Sequence, residues 1–225
     1  MKPSKPADTE QMTTIEACGI LREVPQKLHL MAVNGMKIKV KEYAEEEIIF
    51  SEEELIHRIA ILHSGTVRGE KFHLEGSVDL MYMYQRGEIF GAEATVSRRR
   101  TSPLTYVANE AAVVLFADFF DILRSDYSKE LMLALLHILA DDNIKKLYKL
   151  EALSKRGLRD RIMTYLRIMG RKSGSDTFSI HMDREQFAQY LCVNRSALSY
   201  ELNQMKRDGL IEFKKDEFKL LEKIL

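Results

Sequence analysis

The spacing of hydrophobic positions changes twice along this chain, dividing it into three patterns. The first three dozen residues look mixed and helical, with Pro25 placed to open a short helix, "PQKLHLMAVNG", that Gly35 closes. Period-two signals follow: "MKIKVK" alternates, "EEIIF" is a short apolar run, and "HRIAILH" is flanked by charge and Gly65. "GTVRGEKFHLEG", "SVDLMYMYQ", "SPLTYVANE" and "AAVVLFA" continue the series, with Gly65, Gly69, Gly76, Gly87 and Gly91 where turns are needed. Many short strands with regular turn signals predict a β jelly-roll sandwich, assigned to residues 1–120. No long-period repeat is present.

At about residue 118 the period becomes helical. "DFFDILRSD" reads as a short helix, and Tyr127 to about Leu153 then runs without Gly or Pro. Leu131, Leu135 and Ile138 are expected to pack against the sandwich. Leu136, Leu139, Asn143, Leu147 and Leu150 recur at helical spacing and suit a seam, in which one Asn among Leu residues would fix register. Periodicity leaves two readings open: a dimer coiled coil, or packing of the helix on its own sandwich. This helix and hinge are assigned to 121–156, with the next boundary near Gly157.

The third pattern, 157–225, begins with a helix over 158–170 and a polar link, "RKSGSDTFSI". Asp183 followed by Gln186 is a capping-box arrangement that starts a helix. Phe187, Tyr190 and Leu191 share one face of it. The turn is "CVN", with Asn194 expected to cap the next helix by accepting a backbone N–H bond. In that helix Leu198, Leu202 and Met205 point inward. Arg195, Ser196, Ser199, Tyr200, Asn203, Lys206 and Arg207 are left outside, a polar, net-positive face of the kind that reads a major groove. "GLIEFKKDEFKLL" reads as a wing hairpin turning near Lys215–Asp216. The expected fold class is therefore α+β.

Charge sharpens this picture. The chain balances 34 Lys+Arg against 34 Asp+Glu. Residues 151–225 nevertheless carry 15 against 11, an excess of four, and "SKRGLRDRIMTYLRIMGRK" holds seven positive charges against one negative. Only Cys18 and Cys192 occur, without a C-x-x-C pair, so neither a disulfide framework nor a zinc site is indicated. No apolar run approaches membrane-spanning length, and the first residues lack a signal-peptide core. A reduced, cytoplasmic protein is expected, with no membrane partner.

The order of parts, the "GEIFG" turn at 87–91, "SKRGLRDRIMTYL" and "DREQFAQYLCVNRSALSYELNQMKRDGLIEF" resemble the Crp-Fnr superfamily of bacterial transcription regulators. The resemblance implies a cyclic-nucleotide-binding-like domain, a long dimerisation helix and a winged helix-turn-helix. It also implies double-stranded DNA, a second copy of the chain and RNA polymerase as partners. Arg195, Ser196 and Tyr200 then fall where family members read bases, and Arg184 where a phosphate is contacted. Asn194, Lys214 and Lys215 are further candidates for phosphate contacts. The second and third base-reading positions are often Glu and Arg in the family, so a different operator is expected here.

The same resemblance argues against a cyclic nucleotide effector. Family pockets use a Glu just after the Phe-Gly turn for ribose hydroxyls and an Arg-Ser/Thr pair for the cyclic phosphate. Here Ala92 takes the acidic position, Glu93 comes one residue late, and Ser102-Pro103 replaces the Arg-Ser pair. Pro103 offers no N–H. Arg98, Arg99 and Arg100 either form a displaced anion site or lie in a solvated loop. Glu93, Arg98–Arg100, Ser102 and Thr105 are the candidate effector contacts. Two cysteines exclude an iron–sulfur cluster, while haem through His29, His57, His63, His73 or His137 stays an alternative, as does a cyclic nucleotide. Cys192 is expected to be packed. No catalytic constellation or cofactor is indicated. The remaining alternative is a sensor or scaffold whose winged helix binds protein.

Overall fold

The computed structural model describes residues 9–221, which divide into two compact units. One takes the chain up to Gly76 together with Met81–Asp142; the other takes Ser77–Leu80 and everything from Asn143.

The first unit opens with α1 (Thr9–Ala17), a 3-10 turn (Gln26–Leu28) and α2 (His29–Met36). Gly35 lies inside α2 and does not end it. The left-handed terminator is Lys37, at φ 50°. A Cβ at 35 would lie 2.9 Å from Ser125 Oγ, so a larger residue there would make that hydroxyl turn away. Eight strands follow: β1 (Lys39–Tyr43), β2 (Ile48–Phe50), β3 (Arg58–Ser64), β4 (Val67–Phe72), β5 (Val78–Tyr84), β6 (Ile89–Phe90), β7 (Thr105–Ala108) and β8 (Ala112–Asp118). They form two four-stranded sheets, ordered β1-β8-β3-β6 and β2-β7-β4-β5.

The central strands of the first sheet, β3 and β8, are buried on both faces. In β3, Ala60 and Leu62 point into the sandwich, while Ile59 and Ile61 point outward into a second apolar cluster. Val114 and Phe116 of β8 likewise face inward, and Leu115 and Ala117 outward. That double burial explains why "HRIAILH" and "AAVVLFA" read as continuous apolar runs, since alternation marks a sheet with one solvated face. The outer cluster is closed by residues of α1 and α2, by α4 (Phe119–Arg124, capped by the Asp118 side chain) and by the start of α5 (Ser128–Leu153). Leu131 and Leu135 are buried in it and Ile138 packs against it, as their spacing predicts. Between β6 and β7 lies α3 (Ala92–Val96), a five-residue helix that periodicity does not reveal.

In the second unit α6 (Leu158–Ser173) follows Gly157, its N-cap. The "polar link" contains a strand, β9 (Thr177–Ser179), which pairs with β11 (Glu217–Leu220) of the wing hairpin. β10 (Ile211–Lys214) pairs with β11 in the register Phe213↔Phe218 and Lys214↔Glu217, leaving Lys215–Asp216 as the turn. Helices α7 (Arg184–Tyr190) and α8 (Arg195–Arg207) complete the unit around buried Leu166, Phe187, Leu198, Leu202, Met205 and Phe218.

Candidate DNA interface and effector pocket

Helix α7 is started by a reciprocal capping box. The Gln186 N–H donates to Asp183 Oδ1 at 2.8 Å, and the Asp183 N–H donates to Gln186 Oε1 at 2.9 Å. The turn is closed by backbone bonds from Cys192 to Gln189 and from Val193 to Ala188. Cys192 occupies it at φ 54° and is exposed, not packed. Its side chain is nevertheless partly desolvated, which raises the thiol pKa and disfavours the reactive thiolate. Asn194 holds the N-cap position with an extended backbone and accepts from Leu198 N–H through its carbonyl. The side-chain cap predicted for it does not form. Asn194 is exposed, and the first N–H groups of α8 receive no bond from its side chain.

Leu198, Leu202 and Met205 anchor α8, each fully buried. Arg195, Ser196 and Tyr200 stand on its exposed face, Tyr200 with 66% of its surface accessible. The helix is braced from behind. Arg159 donates through Nε to Glu201 at 2.6 Å and through Nη1 to Asp208 at 2.7 Å, so one α6 side chain fixes two points along α8. Arg184 stacks over Phe213, 4.9 Å from the ring centroid, and donates to the Lys215 carbonyl at 3.2 Å. Desolvation and the neighbouring Arg195 charge both lower its pKa. Lys214 and Lys215 are exposed beside the wing turn, which Ser179 steadies by donating to Asp216 at 2.5 Å. The sequence-predicted DNA contacts thus lie on a pre-formed winged helix-turn-helix. Phe213, the platform under Arg184, carries no sequence signal beyond its place in the predicted wing hairpin.

In the first unit the effector candidates separate. The Ser102 hydroxyl, fully buried, donates to the Leu104 carbonyl at 2.6 Å. Its backbone bonds Glu53 and Glu54, and Thr105 Oγ1 accepts from the Glu52 N–H. Both residues therefore serve the 52–54 loop. Arg98, Arg99 and Arg100 are exposed, and Arg100 lies 5.0 Å over the Phe120 ring. Glu93 points inward and accepts a 2.7 Å bond from Tyr106. Tyr106 accepts in turn from Tyr84 and stacks on Phe90 at 5.2 Å. Desolvation and the Glu93 carboxylate raise the Tyr106 pKa well above its ordinary value. Tyr84 and Tyr106 escape sequence reading because, in strands, they pass for core.

The histidines are already engaged. His63 bonds Thr14, His29 bonds Glu16 and the Val24 carbonyl, and His57 and His137 face Asp118 and Glu23. Among the described residues no group of three or more His, Cys, Asp and Glu could hold a metal ion. No helix among them is long and apolar enough to cross a membrane.

Along α5, Leu136, Leu147 and Leu150 expose 61%, 56% and 61% of their surface, and Asn143 is exposed between them. Leu139 departs from that seam by turning partly into the outer apolar cluster.

A β-sandwich joined through a long helix to a winged helix-turn-helix defines a class of DNA-binding transcription regulators. Comparison with known proteins gives the family. Residues 40–125 match the cyclic nucleotide-binding domain, and residues 160–223 match the Crp-like helix-turn-helix domain. The chain belongs to the Crp-Fnr superfamily of transcription regulators, whose members are not enzymes. Among solved structures it is similar to FixK2 from Bradyrhizobium japonicum, at 18% identity and TM-score 0.68, over 82% of this chain and 93% of that one. It is similar to the c-di-GMP-responsive regulator CLP from Xanthomonas campestris, at 13% identity and TM-score 0.66, over 83% and 95%. A variant of CooA from Carboxydothermus hydrogenoformans matches at 18% identity and TM-score 0.69, over 99% and 95%. No curated protein matches the chain by sequence.

Proposed function

We propose that this chain acts as a homodimer that reads DNA through Arg195, Ser196 and Tyr200. Arg184, Lys214 and Lys215 bind phosphates, with Asn194 at the head of α8 beside them. A small effector in the sandwich gates this activity, and that effector is not cyclic AMP. The observation that carries the DNA reading is the exposed, net-positive face of α8 together with the exposed Lys214 and Lys215 at the wing turn. The dimer rests on the exposed Leu136, Asn143, Leu147 and Leu150, whose apolar members are too large to be left in water over so long a helix. Contact with RNA polymerase follows the family habit. The effector reading rests on Glu93, which already has a partner in Tyr106, and on Ser102, whose hydroxyl is used inside the chain. CLP responds to c-di-GMP on this same architecture, and a fold of this kind does not fix its ligand.

The test is binding to duplex DNA across a salt series, with operators selected from random sequence. A dimer should select dyad-symmetric sites whose halves lie about 34 Å apart. Arg195→Ala should lose about 1–3 kcal/mol and relax preference at one position per half-site. Equal loss on selected and random DNA would contradict the base-reading role.

A further inference from the structure

We infer that Phe213 is a positioning residue that holds Arg184 and Lys206 as one two-cation site for the DNA backbone, with Lys206 an additional phosphate contact. This inference rests on the DNA-binding reading above. Arg184 comes from the start of α7 and Lys206 from the end of α8, yet both lie over the Phe213 ring, at 4.9 and 5.4 Å from its centroid. The ring is itself supported. Phe218, its cross-strand partner in the wing, is buried and lies 5.8 Å away at 32°. Arg184 also reaches Phe218, at 5.8 Å, and is tied to the Lys215 carbonyl in the turn.

Among the described residues neither Arg184 nor Lys206 forms an ion pair, although Glu212 and Glu217 line a hollow beside Phe213 with Lys206. A ring face attracts a cation but leaves its charge uncompensated. Two such cations held against one ring leave a local positive excess that an anion relieves. Long cationic side chains normally lose rotamer freedom on meeting a phosphate. Here the aromatic face restricts both beforehand. Phe213 is only partly buried, so its ring serves the surface as well as the core.

The experiment measures binding of the full chain to a random-sequence duplex over a salt series, by fluorescence anisotropy. Each phosphate contact contributes about 0.9 to the slope of log K against log salt, so loss of one contact per protomer should flatten a dimer's slope by about 1.8. Arg184→Ala and Lys206→Ala should each do so. Phe213→Leu removes no charge, yet it should also flatten the slope, and Phe213→Tyr should restore it. In an Arg184→Ala, Lys206→Ala background, Phe213→Leu should have no further effect. A wild-type slope in Phe213→Leu or in Lys206→Ala, alongside a flattened slope in Arg184→Ala, would overturn the inference and leave the DNA reading standing. Salt-independent binding by the wild type would overturn both. Should Phe213→Leu fail to fold, Lys206→Ala and Phe213→Tyr decide the matter alone.

Discussion

Lys149 offers a test of how well the physics of the second unit is understood. Its side chain is buried to 4% exposure on α5, where its ammonium donates to the Leu80 carbonyl at 2.6 Å and lies 4.2 Å from the Tyr190 ring centroid. Desolvation lowers its pKa from 10.5 to about 8, against the opposing pull of Cys192 and Asp79. The unfolded chain therefore keeps a proton, between pH 8 and 10.5, that the folded chain has released. The contribution of Lys149 to stability must rise with pH through that window, by at most about 3 kcal/mol.

Cys18 acts in the opposite sense. Burial lifts its thiol to about 12 from 9, so the unfolded thiol ionises first and stability falls as pH climbs above 9. A difference between variants isolates the lysine. Lys149→Met removes the desolvated charge but takes the ammonium donor from the Leu80 carbonyl, a loss of about 1–3 kcal/mol. At neutral pH these nearly cancel, and Met should be neutral or slightly stabilising. Near pH 10 the wild-type lysine is uncharged when folded, so the Met variant should have lost about 3 kcal/mol relative to it. Urea melts by circular dichroism at intervals across that range give the difference, provided the m-values agree. A Met-minus-wild-type difference that stays flat from about pH 7 to 10 would refute the reasoning.

The other predictions concern assembly and the sandwich. Leu147→Asp places a carboxylate on the proposed seam at an exposed position, so protomer stability should hold while sedimentation shifts from dimer to monomer. A dimer that survives this change does not use that face. Tyr106→Phe leaves Glu93 without its donor, and thermal melts should show a loss of about 1–3 kcal/mol. An unchanged melting temperature would mean that solvent replaces the phenol. Cyclic AMP and cyclic GMP should produce no melting shift, whereas a ligand present at about 100 times its Kd would stabilise the protein by about 2.7 kcal/mol. A saturable shift with either nucleotide counts against the assignment.

What was legible in the sequence was whatever burial makes periodic. β3 and β8 and the two HTH helices each bury enough apolar residues to leave a spacing, and the other sandwich strands, β6 apart, are marked by alternation and by flanking turn residues. β6 has only Ile89 and Phe90, too short for any period, and β9 buries a single residue, Phe178. Both exist because neighbouring strands supply their hydrogen bonds, which is long-range information. Capping was half legible. Asp183 and Gln186 cap each other reciprocally, so the pair is specified locally, but Asn194 faces solvent that competes for the same bond.

The effector region shows why counting along the chain loses its meaning at a helix. Glu93 falls one residue after the position at which the family places an acid. On an extended chain that shift sends a side chain to the opposite face, but residues 92–96 form α3, where one step is a rotation of about 100°. Ala92 consequently faces the outer apolar cluster, and Glu93 turns into the sandwich towards Tyr106. The acid next to the turn thus has a partner inside the chain, the Tyr106 phenol. An effector entering here must bring a donor able to displace Tyr106, or leave the pair intact and bind over the rings of Tyr84, Tyr106 and Phe90. Either way its control over DNA binding is limited to its difference in affinity between two arrangements of the protein. A neutral, hydrogen-bonding or aromatic ligand suits that interior better than an anion, because the cations of Arg98–Arg100 lie outside it.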